Sequence, residues 1–230
     1  MWSKTSSNRT NIILWIKLNK SKNSNLQINL KKPFLKRIWK NIVITKVINQ
    51  SNCLKKYNLD YEYILHYKNK VKSGDTGNVE AVVAKKYFKI LFGDKFIRSD
   101  ENNEINYLLN YGYSVIRSCI ARTVAAKGLI PSLGIFHCNK LNPYNLVDDL
   151  FEPYRALVDF HVKKHLLINK KIDINNFKND FLNIFYQKIK IKNKNYFLNI
   201  TIDNYIDSFV NCITLNSTKN LEIPEFDYDN

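Results

Sequence analysis

Three sites in this sequence have side-chain types and spacings suited to chemistry, and a fourth only resembles one. The first is Glu80, which shares a helical stripe with Val83, Ala84, Tyr87 and Leu91, at i+3, i+4, i+7 and i+11. A carboxylate on the apolar side of a helix is costly unless a cation or hydrogen-bond donors meet it. A lysine partner, a place at the rim of the stripe, or a bound metal would each satisfy Glu80. The second is Asp148, Asp149 and Glu152. On a helix Glu152 faces both aspartates, at i+4 and i+3, and such pairs repel by a few tenths of a kcal/mol each. A hard divalent cation would reverse that repulsion; a solvated acidic face, with Arg155 neutralising Glu152, would also tolerate it. The third is His137, in the loop sequence Gly134-Ile135-Phe136-His137-Cys138-Asn139, where an isolated histidine can equally be structural. His161 and His165 have the i, i+4 spacing of a helical metal site but lack the glutamate of a zinc hydrolase signature. Beside Lys163 and Lys164 they read as a basic face turned to solvent.

Helices must position these groups. Pro33 suits a helix start, and Phe34, Leu35, Ile38, Trp39, Ile42, Val43 and Val47 follow helical spacing. Shorter helices are expected over residues 61–71 and 79–92, and a long one over 103–127, closed by Gly128 with Pro131 beyond. Residues 133–142 read as a loop or a short extended stretch. A helix over 146–167 should be broken or kinked by Pro153. Amphipathic helices follow over 177–191 and 202–215, and the acidic tail after Leu221 is expected to be loose. Residues 1–30 are Ser- and Asn-rich, with one strand-like patch, Ile12–Ile16. The fold class expected is all-α: a multi-helix bundle, residues 31–230, behind a basic arm, residues 1–30.

Hydrophobic residues make up 45% of the 230, enough for a core, and no apolar run approaches the ~18 residues needed to span a bilayer. Cys53, Cys119, Cys138 and Cys212 lie far apart and read as reduced thiols of a cytoplasmic protein. The formal net charge is +16. Lys, Asn and Ile have AT-rich codons, so codon bias contributes to that total. The distribution says more: no Asp or Glu occurs from Met1 to Leu59 while Lys and Arg recur throughout, which points to phosphate contact, with an anionic membrane surface as the competitor.

These residues also stand in a familiar order. Glu80-Ala81, Tyr87-Phe88, Leu91-Phe92-Gly93 and Phe96-Ile97-Arg98 resemble the first catalytic block of the CRISPR-associated spacer-acquisition integrase/endonuclease family. Leu109-Asn110-Tyr111-Gly112-Tyr113 resembles the next block. Gly128-Leu129-Ile130-Pro131 and the loop around His137 resemble the block carrying the family's histidine. Leu146 to Arg155, with Val158-Asp159, resembles the last. Each block alone is weak; four in order, from about Asn49 to Val162, are specific. The Glu-Pro-x-Arg and Leu-Asn-Tyr-Gly-Tyr forms resemble the type II branch, which works beside a single-protein RNA-guided nuclease.

The resemblance implies a metal-dependent endodeoxyribonuclease and integrase that inserts DNA fragments into a CRISPR array by attack of a 3′-hydroxyl on a phosphodiester. It implies that Glu80, His137 and Glu152 hold one Mg²⁺ or Mn²⁺, with Asp149 as a further ligand or beside it. Two carboxylates with an imidazole suit those ions, the imidazole favouring Mn²⁺. The three should converge within about 5 Å of one point. Lys85, Lys86, Arg98, Arg117 and Arg122 are candidate phosphate contacts, and Asn110 and Asn139 should order nearby loops. The implied partners are double-stranded DNA (the incoming fragment and the CRISPR repeat), a second copy of the chain, and the small ferredoxin-like companion of the spacer-acquisition complex. Family members carry an N-terminal β-domain, for which residues 1–30 are too short. The alternatives are therefore a truncated, catalytically impaired DNA-binding remnant of the same family, and a basic helical module on anionic lipid.

Overall fold

The computed structural model describes residues 20–169, 172–191 and 194–228. Most of the basic arm, including the strand-like patch Ile12–Ile16, lies outside these residues. Residues 20–28, counted with the arm in the sequence, are helical (α1). The side chain of Gln27 explains their placement: its amide donates to the carbonyls of Ile130 and Leu133, and its carbonyl accepts from Ile130 N.

The spine is α2, Lys32–Lys56, which opens on Pro33 and buries Phe34, Ile38, Trp39, Ile42, Val43, Val47, Cys53 and Leu54. It packs against α3 (Tyr61–Leu65), α4 (Val79–Phe92), the turn at Glu152–Tyr154 and α7 (Arg155–Ile168). The expected helix over 61–71 winds into a 3₁₀ turn at His66–Lys70. Buried Asp75 sets the start of α4, its carboxylate accepting from the amides of Val79 and Glu80, both at 2.9 Å. Amides that would otherwise lack partners are satisfied, and Glu80 is fixed in the first turn. Asn103 caps α5, Glu104–Ala126, by accepting from Ile105 N. Pro153 acts as expected: α6, Asn145–Phe151, gives way to a 3₁₀ turn at Glu152–Tyr154 before α7 begins.

The C-terminal third corrects two expectations. The helix expected over 177–191 is α8, Ile174–Leu182, and ends there; Lys188–Ile191 is a strand, β1. The alternation Lys-Ile-Lys-Ile has period two, not 3.6, and the branched isoleucines favour extended backbone. β1 pairs antiparallel with β2, Lys194–Phe197, and the chain returns through α9, Leu198–Leu215. The tail is not loose. Phe226 is fully buried, and Phe226–Asp227 forms β3 on the other edge of β1, with Lys190 bridging to Asp227 at 2.7 Å. Among the described residues the result is a helical fold with one small three-stranded sheet, ordered β2-β1-β3. The histidine pair is also corrected. His165 is buried, its Nδ1 beside the amide of Asn169; burial pulls His161 down to about 4. Both line a pocket of about 290 Å³ between α7 and α8, with His165 buried and His161 half-buried. Among the described residues no helix is long and apolar enough to cross a membrane, and all four cysteines are free.

The α5–α7 crossing holds the site's framework. A Cβ at Gly112 would meet Val158 Cγ1 at 2.4 Å, so only glycine allows this approach. One residue on, the Tyr113 hydroxyl donates to Asp159 at 2.5 Å. We expect Gly112→Ala to cost about 1–3 kcal/mol in chemical denaturation, the usual penalty for overpacking. Burial, only partly offset by the Tyr113 bond, lifts the Asp159 carboxyl from 3.8 to about 6. Such a group weakens the fold as pH rises from about 4 to about 6, a cost of roughly 3 kcal/mol that is complete above that window and absent below it. Asp159→Asn should therefore gain melting temperature relative to the parent at pH 8 compared with pH 4, in paired calorimetric scans.

Candidate active site

Glu80, from the first turn of α4, and Glu152, from the turn that Pro153 creates, meet at a residue not singled out in the sequence. The Lys46 ammonium, on α2, bonds to Glu80 Oε1 and to Glu152 Oε2. Lys46 and Glu152 are buried; Glu80 is the open side of the group, its side chain 27% exposed. Arg155 Nε donates to the other oxygen of Glu152 at 2.9 Å. Its guanidinium lies 5.0 Å from the Tyr113 ring centroid and 4.8 Å from that of Phe151. Burial opposes charge on Glu152, but Arg155 and Lys46 outweigh it and hold the carboxyl well below the ordinary carboxylate range. Burial likewise opposes the Lys46 charge, yet Glu152 and Glu80 push its pKa above the ordinary value. The lysine partner weighed for Glu80, and Arg155 for Glu152, are thus both present.

Asp149, fully buried on α6, organises the histidine loop. Its carboxylate accepts from the backbone amides of Ile135 at 2.5 Å, Phe136 at 2.9 Å and His137 at 3.2 Å, and meets His137 Nδ1 at 2.6 Å. Gly134 makes this wrap possible: a Cβ there would lie 2.2 Å from the His137 carbonyl and 2.9 Å from Asp149 Oδ2. Asn145 braces the loop from below, donating to the carbonyls of Ser132 and Asn139. Phe136 stacks on Trp39 of α2, centroids 4.4 Å apart, and Trp39 also meets the His137 ring edge-on. The bond to Asp149, opposed by partial burial, raises the His137 pKa, and Glu152 and Asp148 add to the rise. His137 therefore lies within the field of Glu152, and with Nδ1 engaged by Asp149 its Nε2 is the nitrogen left to ligate.

Asp148 belongs to a different group. It bonds to Arg117 Nε at 2.5 Å and to the Asn142 amide at 2.7 Å, leaving Asp149 and Glu152 to the site. Arg98 donates to Asn110 at 2.6 Å and to Asn106 at 3.3 Å. Lys86 bonds to the Tyr63 hydroxyl, Arg122 lies 3.4 Å from Cys119 Sγ, and Lys85 is exposed. Asn139 closes its own turn by accepting from Leu141 N.

Among the described residues, no three His, Cys, Asp or Glu side chains stand close enough together to hold a metal ion. The donor set nevertheless suits a hard divalent cation: two carboxylates converge on a position already filled by positive charge, with an imidazole oriented by a carboxylate nearby. Lys46 is the residue the sequence reading missed. The rule that flagged Glu80 applies to it equally, because Lys46 lies between Ile42, Val43 and Val47 on the buried face of α2.

Fold and site together describe a helical enzyme-like domain that gathers acidic and imidazole side chains against one central helix. Residues 20–187 match the family of CRISPR associated protein Cas1, and the chain belongs to it. It is 37% identical over 205 residues to the CRISPR-associated endonuclease Cas1 of Neisseria meningitidis serogroup C (strain 8013), spanning 87% of this chain and 67% of that one. Similar solved folds include a partial Cas6-RT-Cas1–Cas2 complex (TM-score 0.78, 18% identity, 91% of this chain and 75% of that one). A casposase bound to integration product is also similar (TM-score 0.72, 21% identity, 90% and 68%).

Asp149→Asn tests the loop anchor. An amide offers one acceptor oxygen where the carboxylate offers two, so part of the four-bond cradle is lost. The expected cost is roughly 2–3 kcal/mol in urea denaturation, together with a shift of the His137 imidazole resonances in NMR. An unchanged His137 spectrum would show that Asp149 does not orient the ring.

Proposed function

We propose that this chain is the catalytic part of a metal-dependent DNA endonuclease and integrase acting in CRISPR spacer acquisition. The observation that carries the reading is the convergence of Glu80 and Glu152 on one cationic position, next to a histidine loop held by Asp149. Glu80, His137 and Glu152 would hold one Mg²⁺ or Mn²⁺, which would supply Lewis-acid polarisation of the phosphodiester. Asp149 keeps His137 in one tautomer and orientation, and Arg155 keeps Glu152 ionised. A 3′-hydroxyl of the incoming strand attacks phosphorus, forming one P–O bond as the bond to the leaving 3′-oxygen breaks. The proton lost by the attacking hydroxyl balances the one taken up by the leaving oxygen, and no covalent protein intermediate is needed. Water in place of the hydroxyl gives cleavage. Lys85, Lys86, Arg98, Arg117 and Arg122 would contact phosphates.

The partners in this reading are double-stranded DNA, a second copy of the chain and the small ferredoxin-like companion, in the cytoplasm. Support comes from the relatives: one similar structure is a complex with Cas2, another is bound to integration product. A second reading, DNA binding without catalysis, is favoured by the Lys46 ammonium standing between the two carboxylates.

The test is strand transfer and cleavage of branched DNA with Mn²⁺. Glu80→Gln and His137→Ala should each lower the rate by at least about 10²-fold, the scale of losing one key electrostatic contact, with circular dichroism unchanged. Full activity in either variant would reject the assignment.

Duplex binding should be tolerant of sequence and weaken with salt, about 0.9 in log–log slope per phosphate neutralised. Because α1 is packed into the fold, the arm is tested by deleting residues 1–19 only, which removes Lys4, Arg9 and Lys17. The slope should flatten by up to about 0.9 for each of these that contacts phosphate. An identical slope would assign the acid-free block to codon bias.

A further inference from the structure

Lys46 does more in this site than neutralise it. The geometry points to Lys46 as an exchangeable counter-cation that occupies the position between Glu80 and Glu152 until a divalent metal and a DNA phosphate arrive together, and then turns to the phosphate. This inference rests on the metal-dependent reading above and adds a residue and a coupling to it.

The argument begins with charge. Glu80 and Glu152 carry two negative charges, and Lys46 and Arg155, which bond to them, carry two positive charges, so the buried group is neutral without metal. A dication inserted beside an unmoved Lys46 would leave an excess of two positive charges in a place where Lys46 and Glu152 are almost fully shielded from water. Uncompensated charge at that depth is strongly unfavourable. Metal alone must therefore displace an ammonium that already satisfies both carboxylates. A backbone phosphate changes the balance, since its negative charge accepts the displaced ammonium and offsets the metal.

Geometry allows the exchange. Glu80 is the least buried member of the trio, so one side of the position faces solvent. Lysine is suited to the move: its ammonium is a compact charge on a flexible four-carbon stem, able to turn without moving the helix that carries it. Arg155, by contrast, lies against the Tyr113 and Phe151 rings and stays with Glu152. A purely structural ion pair would predict the opposite behaviour, in which loss of Lys46 only weakens the fold and the metal site with it.

The test measures Mn²⁺ binding by the paramagnetic resonance signal of free Mn²⁺, with and without a short duplex. In the parent protein, duplex should tighten Mn²⁺ binding by about 5–150-fold, the usual range for coupled sites, and Mn²⁺ should tighten duplex binding by the same factor. This arm needs no variant. Lys46→Met should bind Mn²⁺ more tightly than the parent in the absence of DNA, and the duplex should add much less. Lys46→Arg, which keeps the charge, should bind Mn²⁺ without DNA no better than the parent. Thermal melting with and without Mn²⁺ checks folding, and a larger Mn²⁺-induced rise in Lys46→Met than in the parent supports the exchange. Parent Mn²⁺ binding that is indifferent to duplex, or weaker Mn²⁺ binding in Lys46→Met, overturns the role of Lys46 while leaving the metal site standing. With duplex present, Mn²⁺ binding no better in the parent than in a Glu80→Gln, Glu152→Gln double variant overturns the metal reading itself, and this inference with it.

Discussion

Two ionised carboxylates in a helical core need positive charge between them, and in this fold α2 supplies it. Lys46 projects from the buried face of that helix to Glu80 on α4 and to Glu152 at the α6–α7 break. Removing either acid would leave a buried ammonium short of a partner, and removing the lysine would leave two acids facing each other. Three segments far apart in sequence are thus tied by one charge.

The remaining placements serve that arrangement. Asp75 fixes the first turn of α4 and so the height of Glu80. Pro153 lacks an N–H, so the chain tightens into a 3₁₀ turn that presents Glu152 inward before α7 resumes. Asn49, one turn along α2 from Lys46, donates to the Pro153 carbonyl at 2.8 Å and holds that turn against the spine. Trp39, two turns before Lys46, supports Phe136 and the edge of His137. One face of one helix therefore carries the support for the loop, the charge and the turn.

Much of this was legible in sequence because its signals are local. Pro33 at the start of α2, Gly128 beyond α5 and Pro153 between α6 and α7 each change what the backbone can do, whatever the rest of the chain does. Glu80 stood out as an acid in apolar company, and Glu152 as one of three acids that would repel on one helix face. Lys46 did not, because lysine is abundant here and one buried lysine looks like its solvated neighbours until its partners are in place. The Asp149 cradle was hidden for another reason: its donors are backbone amides, which every residue has. Residues 188–191 were misread because alternation over four residues is brief, and the tail because a buried Phe226 depends on a strand 35 residues earlier to pair with.

Asn49 has a bearing on how the molecule can be handled. Besides Pro153, its side chain donates to the Pro224 carbonyl at 2.9 Å and accepts from Phe226 N at 3.0 Å, so one amide staples the last strand to the back of the turn that carries Glu152. Boundaries chosen for expression usually discard an acidic, proline-containing C-terminus as dispensable. Here a cut near Leu221 would strip two of the three partners from a fully buried amide one turn from Lys46, and would leave unpaired the edge of β1 that β3 covers. The tail is better regarded as part of the packed fold behind α2, and affinity tags or fusion partners belong beyond Tyr228 on a spacer that lets β3 close.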